Sequence, residues 1–251
     1  MSFTNKVVIV TGGSAGIGAT TAVNFAREGA KVVIVGRNEE KLRKVADNCL
    51  QINPHCHIVK ADITDEDEAK RVIEETIGKY GKLDILVNNA GIIREGSILD
   101  GKLLKVFDEV MNTNLKSIVV LTCVAAPYLI KTKGNIINIS SIAGTRVRSP
   151  RFTAYSTSKA ALDMLTRATA LEMGPHGVRV NSVSPGPVKT EIIKSGGINE
   201  NIEDLKTSTT LGRISDTQEV ADLILYLASD KAKGVTGSNY ICDNGSLLYR
   251  P

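Results

Sequence analysis

The chain has 251 residues, 42% of them hydrophobic and 23% charged, with a formal net charge of +4; this length suits one large α/β domain, and no low-complexity tract argues for disorder. Basic and acidic residues are interleaved, and four Phe, six Tyr and no Trp leave little for a nucleic-acid groove or a base-stacking platform, so nucleic acid is not expected as a partner. The longest apolar runs, such as 118–126, fall short of the about 20 residues that span a bilayer, and the amino end shows no leader pattern; a cytoplasmic chain with no membrane span is expected.

Residues 6–10 form a β-branched run that ends in a glycine cluster, after which 17–28 repeats apolar residues at helical spacing. Residues 31–35 read as a second strand and 38–50 as a charged helix. The alternation continues with strand 57–60, helix 65–80, strand 83–88, and a long helical region over 102–131 broken near Asn114. Strand 135–139, helix 153–173, strand 179–183, helix 216–227 and a short strand 239–242 complete it. Strands apolar on both faces and separated by helices imply a doubly wound α/β fold: a parallel seven-stranded sheet of Rossmann type with helices on both faces. The whole of 1–251 is expected to form a single domain. The irregular stretch 185–211, with Gly196 and Gly197, reads as a lid or binding loop, its substrate-binding part at 187–212. Cys49, Cys56, Cys123 and Cys242 show no paired spacing and are expected as free core thiols; His55 and His57 lack companions at ligand spacing, so no metal site is expected.

The first strand runs into Thr11, Gly12, Gly13, Ser14, Ala15, Gly16, Ile17 and Gly18. Glycines there allow the tight turn and let a pyrophosphate approach the N–H groups of a helix amino end. Arg37 stands about 20 residues further on, where an acidic residue would meet a free ribose 2′-hydroxyl. With Gly36 and Arg37 there, and no carboxylate until Glu39, the pattern predicts NADP(H) in preference to NAD(H), the guanidinium holding the 2′-phosphate.

Tyr155 and Lys159 lie four apart in a helical stretch, so their side chains share a face. At about 5 Å and an effective dielectric near 20, the ammonium would stabilise a phenolate by roughly 3 kcal/mol, lowering the phenol's pKa toward a range useful for proton transfer. Strand 135–139 delivers Ser140 and Ser141 to its carboxyl end, where a hydroxyl would hold a reacting oxygen.

In these ordered motifs the chain resembles the short-chain dehydrogenase/reductase family over nearly its whole length: TGGSAGIG at 11–18, Asp62, NNAG at 88–91, Asn114, Ser141, YSTSK at 155–159, Pro185 with Gly186, and Asp243. The resemblance implies an oxidoreductase that moves a hydride between NADP(H) and a carbonyl or secondary alcohol. It makes Tyr155 the proton donor or acceptor and Ser141, rather than Ser140, the residue that holds the substrate oxygen. Lys159 would bind the nicotinamide ribose and depress the tyrosine pKa, and the Asn114 backbone would hold a water linking the lysine to solvent. It further places Gly12, Ser14, Ala15, Gly16, Ile17 and Gly18 at the pyrophosphate, and Asp62 and Ile63 at the adenine. Asn89, Ala90 and Gly91 would lie beside the ribose, Pro185, Gly186, Val188 and Thr190 at the carboxamide. Asp243 would support the fold. A homotetramer, or a homodimer, is the assembly it implies.

The rival reading is a catalytically silent NADP-binding sensor or scaffold, which would have no need of all four of Ser141, Tyr155, Lys159 and Asn114. The chain departs from the family in two places. The Ser141 to Tyr155 interval is one residue longer than is frequent, which bears on the substrate pocket, and Asn244 stands where Gly is familiar. Arg146, Arg148 and Arg151 cluster in that lengthened loop, either as a solvated basic segment or facing an anionic substrate or an acidic carrier such as acyl carrier protein.

Overall fold

The computed structural model describes residues 1–198 and 202–248; residues 199–201 of the expected 187–212 loop and 249–251 of the expected 1–251 domain lie outside the described residues. Runs of β-branched residues with no polar alternation form strands buried on both faces, and all five residues of β1 (Val7–Thr11) and of β5 (Asn135–Ile139) are buried. With β2 (Lys31–Gly36), β3 (Cys56–Lys60), β4 (Ile85–Asn88), β6 (Arg179–Pro185) and β7 (Asn239–Cys242) they make one seven-stranded sheet in the order β3-β2-β1-β4-β5-β6-β7. Every pairing is parallel. The chain runs outward through β1, β2 and β3, returns to lay β4 against β1, and then runs outward the other way. That reversal leaves a crevice at the carboxyl ends of β1 and β4, where open α/β sheets hold ligands.

Alternate residues of each strand feed two cores. On one face Val8, Val10, Ile34 and Val87 pack with Phe25 of α1 (Gly16–Arg27), Leu42 of α2 (Glu39–Leu50) and Ile224 of α8 (Thr217–Ala228). On the other, Ile9, Val33, Leu86 and Ile136 pack with Ile73 of α3 (Glu66–Tyr80), Leu121 and Leu129 of α5 (Ser117–Thr132) and Ala170 of α6 (Thr153–Met173). The helix ends follow their local chemistry. The Asp65 carboxylate accepts from the N–H groups of Asp67 and Glu68 at the start of α3, and Gly81 closes that helix in the left-handed region. Asp216 and Glu219 form a reciprocal capping box on α8.

The expected break near Asn114 is instead a widened turn. The helix α4 (Leu103–Met111) passes through a π segment, Asn112–Lys116, directly into α5. The continuous Leu103–Thr132 helix is therefore long and apolar enough to cross a membrane by length and composition, which a count of unbroken apolar runs does not register. Here it serves as a core helix, burying Leu121, Ala125 and Leu129 against the sheet and α3. The irregular stretch after β6 contains a short helix, α7 (Ile192–Ser195), and a 3-10 segment, Ile202–Ser208. All four cysteines are free, as expected, but Cys123 is exposed rather than a core residue.

Candidate active site

The strand reversal opens into a cleft of about 860 Å³. Its floor begins at the end of β1. There the Thr11 hydroxyl accepts from the N–H groups of Asn89 and Ala90 at 3.0 and 3.1 Å and donates to the Val87 carbonyl, and the Asn89 amide donates to the Thr11 and Gly12 carbonyls at 2.9 and 3.2 Å. This bracing ties the glycine loop to the NNAG turn across the reversal. Gly12, at φ +63°, could carry no side chain: a Cβ would sit 2.8 Å from the Asn89 amide and 2.9 Å from the Ala90 backbone. The loop ends at Ala15, the N-cap of α1, whose side chain offers no acceptor to the first-turn N–H groups. Those donors, and the positive end of the helix dipole, face the cleft. The cradle thus fits a pyrophosphate on an observation of this chain's own geometry.

At the far side of the cradle Arg37 lies 3.5 Å from Asp62, with side chains 69% and 39% exposed. So open a pair contributes about 0–1 kcal/mol, which leaves the guanidinium available to an incoming phosphate. Burial raises the Asp62 carboxyl, but bonds from Thr64 and the charge of Arg37 outweigh it and hold the pKa below the usual carboxylate value. Asn38 caps α2 by accepting from the Lys41 N–H at 2.9 Å.

The cleft is also lined by Ser141, Tyr155 and Lys159. Ser141 caps the 3-10 turn Ile142–Gly144, accepting from the Ala143 N–H at 3.2 Å, and it lies close enough to the Tyr155 phenol to pull its pKa downward. Gly144 makes the meeting possible, since a Cβ there would fall 2.8 Å from the Ala160 backbone nitrogen and push the turn off α6. Ser140 turns away: its hydroxyl donates to the Lys159 carbonyl at 3.2 Å. Lys159, only 4% exposed, donates from Nζ to the Ile139 carbonyl at 2.8 Å and lies 5.6 Å from the centre of the Tyr155 ring. Behind it the buried Asn114 amide accepts from the Ile92 N–H at 2.8 Å and donates to the Ile92 carbonyl at 2.9 Å and to Ser158 Oγ at 3.1 Å. The Ser158 hydroxyl donates to the Tyr155 carbonyl at 2.7 Å. The π segment carries Asn114, and its wider turn sets this amide between the NNAG loop and α6.

One electrostatic expectation changes. Burial raises the Tyr155 pKa, with only Ser141 acting against it, whereas the sequence led us to expect Lys159 to lower it. The lysine is itself desolvated, which brings its pKa down to about 8 against the opposing charge of Asp163, and one of its three N–H donors is taken by the Ile139 carbonyl. In the free protein Tyr155 is therefore held protonated, the form that donates.

All but two of the residues expected from the sequence to act in catalysis or hold the cofactor line this one cleft. Gly18 lies beneath it, its space closed by Asn89 and the Gly12 carbonyl, and Asn114 stands behind Lys159. The sequence reading missed the pair Lys41 and Glu191, which meets at 2.5 Å and joins α2 to the segment before α7 across the cleft mouth. It also missed the aliphatic wall of Ile93, Ile142, Ile192, Ile193 and Leu205. No local pattern could have revealed either.

A doubly wound sheet with a glycine-lined phosphate cradle at its reversal, and a Ser, Tyr and buried Lys group in the same cleft, defines a dinucleotide-dependent oxidoreductase. Comparison with known proteins agrees. Residues 12–246 match a family model described as enoyl-(acyl carrier protein) reductase. The chain is 35% identical to the 3-oxoacyl-[acyl-carrier-protein] reductase FabG of Thermotoga maritima over 250 residues, 99% of this chain and 100% of that protein. Among solved structures, a short-chain dehydrogenase/reductase of unknown function from Caenorhabditis elegans, crystallised with cofactor, superposes with a TM-score of 0.93 at 35% identity, covering 99% of this chain and 97% of that one. The apo-form glucose dehydrogenase of the same organism gives 0.86 at 40% identity, over 99% and 100%. The chain belongs to the short-chain dehydrogenase/reductase family and is an oxidoreductase that uses a nicotinamide cofactor.

Proposed function

We propose that the chain interconverts a carbonyl compound and the corresponding secondary alcohol with NADP(H) in preference to NAD(H), Tyr155 acting as general acid and base. The observation that carries the reading is that Ser141, Tyr155 and Lys159 line the same cleft as the glycine loop that forms the phosphate cradle. When bound, the dinucleotide gives or takes the hydride; the protein's work is to place and polarise the substrate oxygen. Ser141, fixed by the Ala143 N–H, holds that oxygen in position. Tyr155, protonated at rest, donates to it as negative charge develops during reduction and accepts the proton back in oxidation. Lys159 supplies positive charge beside the phenol and a donor for a ribose hydroxyl, and Asn114 keeps the route from the lysine toward solvent in shape.

Gly12, Ser14, Ala15, Gly16 and Ile17 are read as the pyrophosphate cradle, Gly18 as its support and Arg37 as the phosphate anchor. Asp62 and Ile63 meet the adenine, Asn89, Ala90 and Gly91 the ribose, and Pro185, Gly186, Val188 and Thr190 the carboxamide. Residues 187–212 form the substrate loop of a single domain. A cytoplasmic homotetramer, or homodimer, is the assembly that fits the reading, supported by the exposed Met164 and Leu171 on α6.

The test is oxidation of NADPH, followed by its absorbance, against a panel of ketones and aldehydes. Tyr155→Phe should bind NADPH as the native protein does and lose turnover by on the order of 10²–10⁴-fold. A variant that remains fully active would end this mechanism.

A further inference from the structure

The substrate half of the cleft has more character than a carbonyl site requires. Its wall is aliphatic, built from Ile93, Ile142, Ile192, Ile193 and Leu205, and the charged side chains that line it are Arg146 and Arg148, from the lengthened loop between Ser141 and Tyr155. The carboxylates lining the cleft are already matched: Asp62 by Arg37 at 3.5 Å, and Glu191, next to Ile192 of the wall, by Lys41 at 2.5 Å. Glu95, beside the same loop, is paired with Arg151. Arg146 is anchored through its bond to the Ser246 carbonyl at 3.3 Å. Arg148 is exposed and has no ion pair among the described residues. Beside that aliphatic wall Arg148 thus presents a positive charge that no carboxylate among the described residues pairs with.

On the reading of this cleft as a carbonyl-reducing site, we propose that its substrate is an amphipathic anion: an aliphatic chain that places its oxo group at Ser141 and Tyr155 and its carboxylate at Arg148. An apolar wall takes up the methylene chain in proportion to the area it covers. A guanidinium meets a carboxylate in paired, charge-assisted bonds that a neutral ester cannot form. Low-dielectric walls concentrate the field of the arginines on an approaching anion.

The experiment compares straight-chain oxo acids, with about three to eight methylenes between ketone and carboxylate, with their methyl esters as substrates in NADPH oxidation. At the best length the acid should exceed its ester about tenfold in kcat/KM, and the ratio should shrink as salt is raised. R148A should bring the acid down to the level of its ester, and R148K should retain part of the preference. Esters equal to or better than acids at every length would overturn the proposal while leaving carbonyl reduction intact. So would acceptance of oxoacyl chains only when joined to an acidic carrier protein. A second readout needs no turnover: calorimetric binding of decanoate and decan-1-ol to the cofactor-free protein. Decanoate should bind more tightly, and R148A should abolish the difference; equal binding refutes the proposal. If no carbonyl compound is reduced at all, the proposed function falls, and decanoate binding still decides whether the cleft is an anion site.

Discussion

Burial lowers the Lys159 pKa to about 8, from 10.5 for the ordinary side chain. Below pH 8 the folded and unfolded chains both hold the proton, and the cost of burying the charge is present in full. Between about pH 8 and 10.5 only the folded chain has released it, so the cost is relieved and stability rises. The cofactor-free native protein should therefore gain stability relative to Lys159→Met across that interval, by up to about 3 kcal/mol, in urea denaturation at either end of it; a pH-independent difference would refute the assignment. Arg37 makes a second, separable prediction. Its exposed pair with Asp62 is weak enough to exchange for a phosphate, so Arg37→Asp should shift the ratio of kcat/KM for NADPH over NADH toward NADH by on the order of 10–100-fold. The identities of Tyr155, Lys159 and Asn114 were legible because four-residue helical spacing and ordered motifs are local properties. The choice of Ser141 over Ser140 came only by resemblance; in three dimensions Ser140 is turned onto a main-chain carbonyl of α6, which no local pattern foretells. The sign of the tyrosine shift was not legible, since desolvation depends on everything packed around the ring.

Periodicity located every strand and each long helix, and it matched α6, β5 and β7 to the residue because sharp turn chemistry flanks them. It overextended β4 by two residues: Leu83 and Asp84 look strand-like, but the Asp84 carboxylate accepts from the Val7 N–H at 2.8 Å and pairs with Lys82. The π segment read as a break, because an inserted residue disturbs the apolar period in the same way whether the helix ends or merely widens. Its role gives a further prediction. Asn114→Ala would leave the N–H and carbonyl of Ile92 and the Ser158 hydroxyl without this partner in a buried setting. It should cost about 3 kcal/mol in denaturant unfolding as well as turnover; a stable but inactive variant would mean that the amide acts on chemistry alone. The segments Ile192–Ser195 and Ile202–Ser208 were illegible because such short helices are stabilised by what they rest on rather than by their own sequence.

The two ends of the cleft come from different stretches of chain. The phosphate cradle draws on β1, β2, β4 and the turns that follow them, the reactive group on β5 and α6, and residues 185–190 close over both. A ligand that spans the cleft should brace these parts together. NADP+ at about 100 times its Kd should stabilise the protein by about 2.7 kcal/mol, read as a rise in unfolding midpoint; NAD+ at equal concentration should do less. The strand order has a further consequence for a chain emerging from synthesis. Each new strand pairs with the strand made just before it except once, when β4 must come back to the middle and settle beside β1. The residues proposed to grip the phosphates precede residue 92, apart from the closing segment, and Ser141, Tyr155 and Lys159 all follow it. On the proposed reading a polypeptide in synthesis thus makes its nucleotide-binding turns first, and owns the groups proposed to shift the proton only when the middle third of the chain is nearly complete.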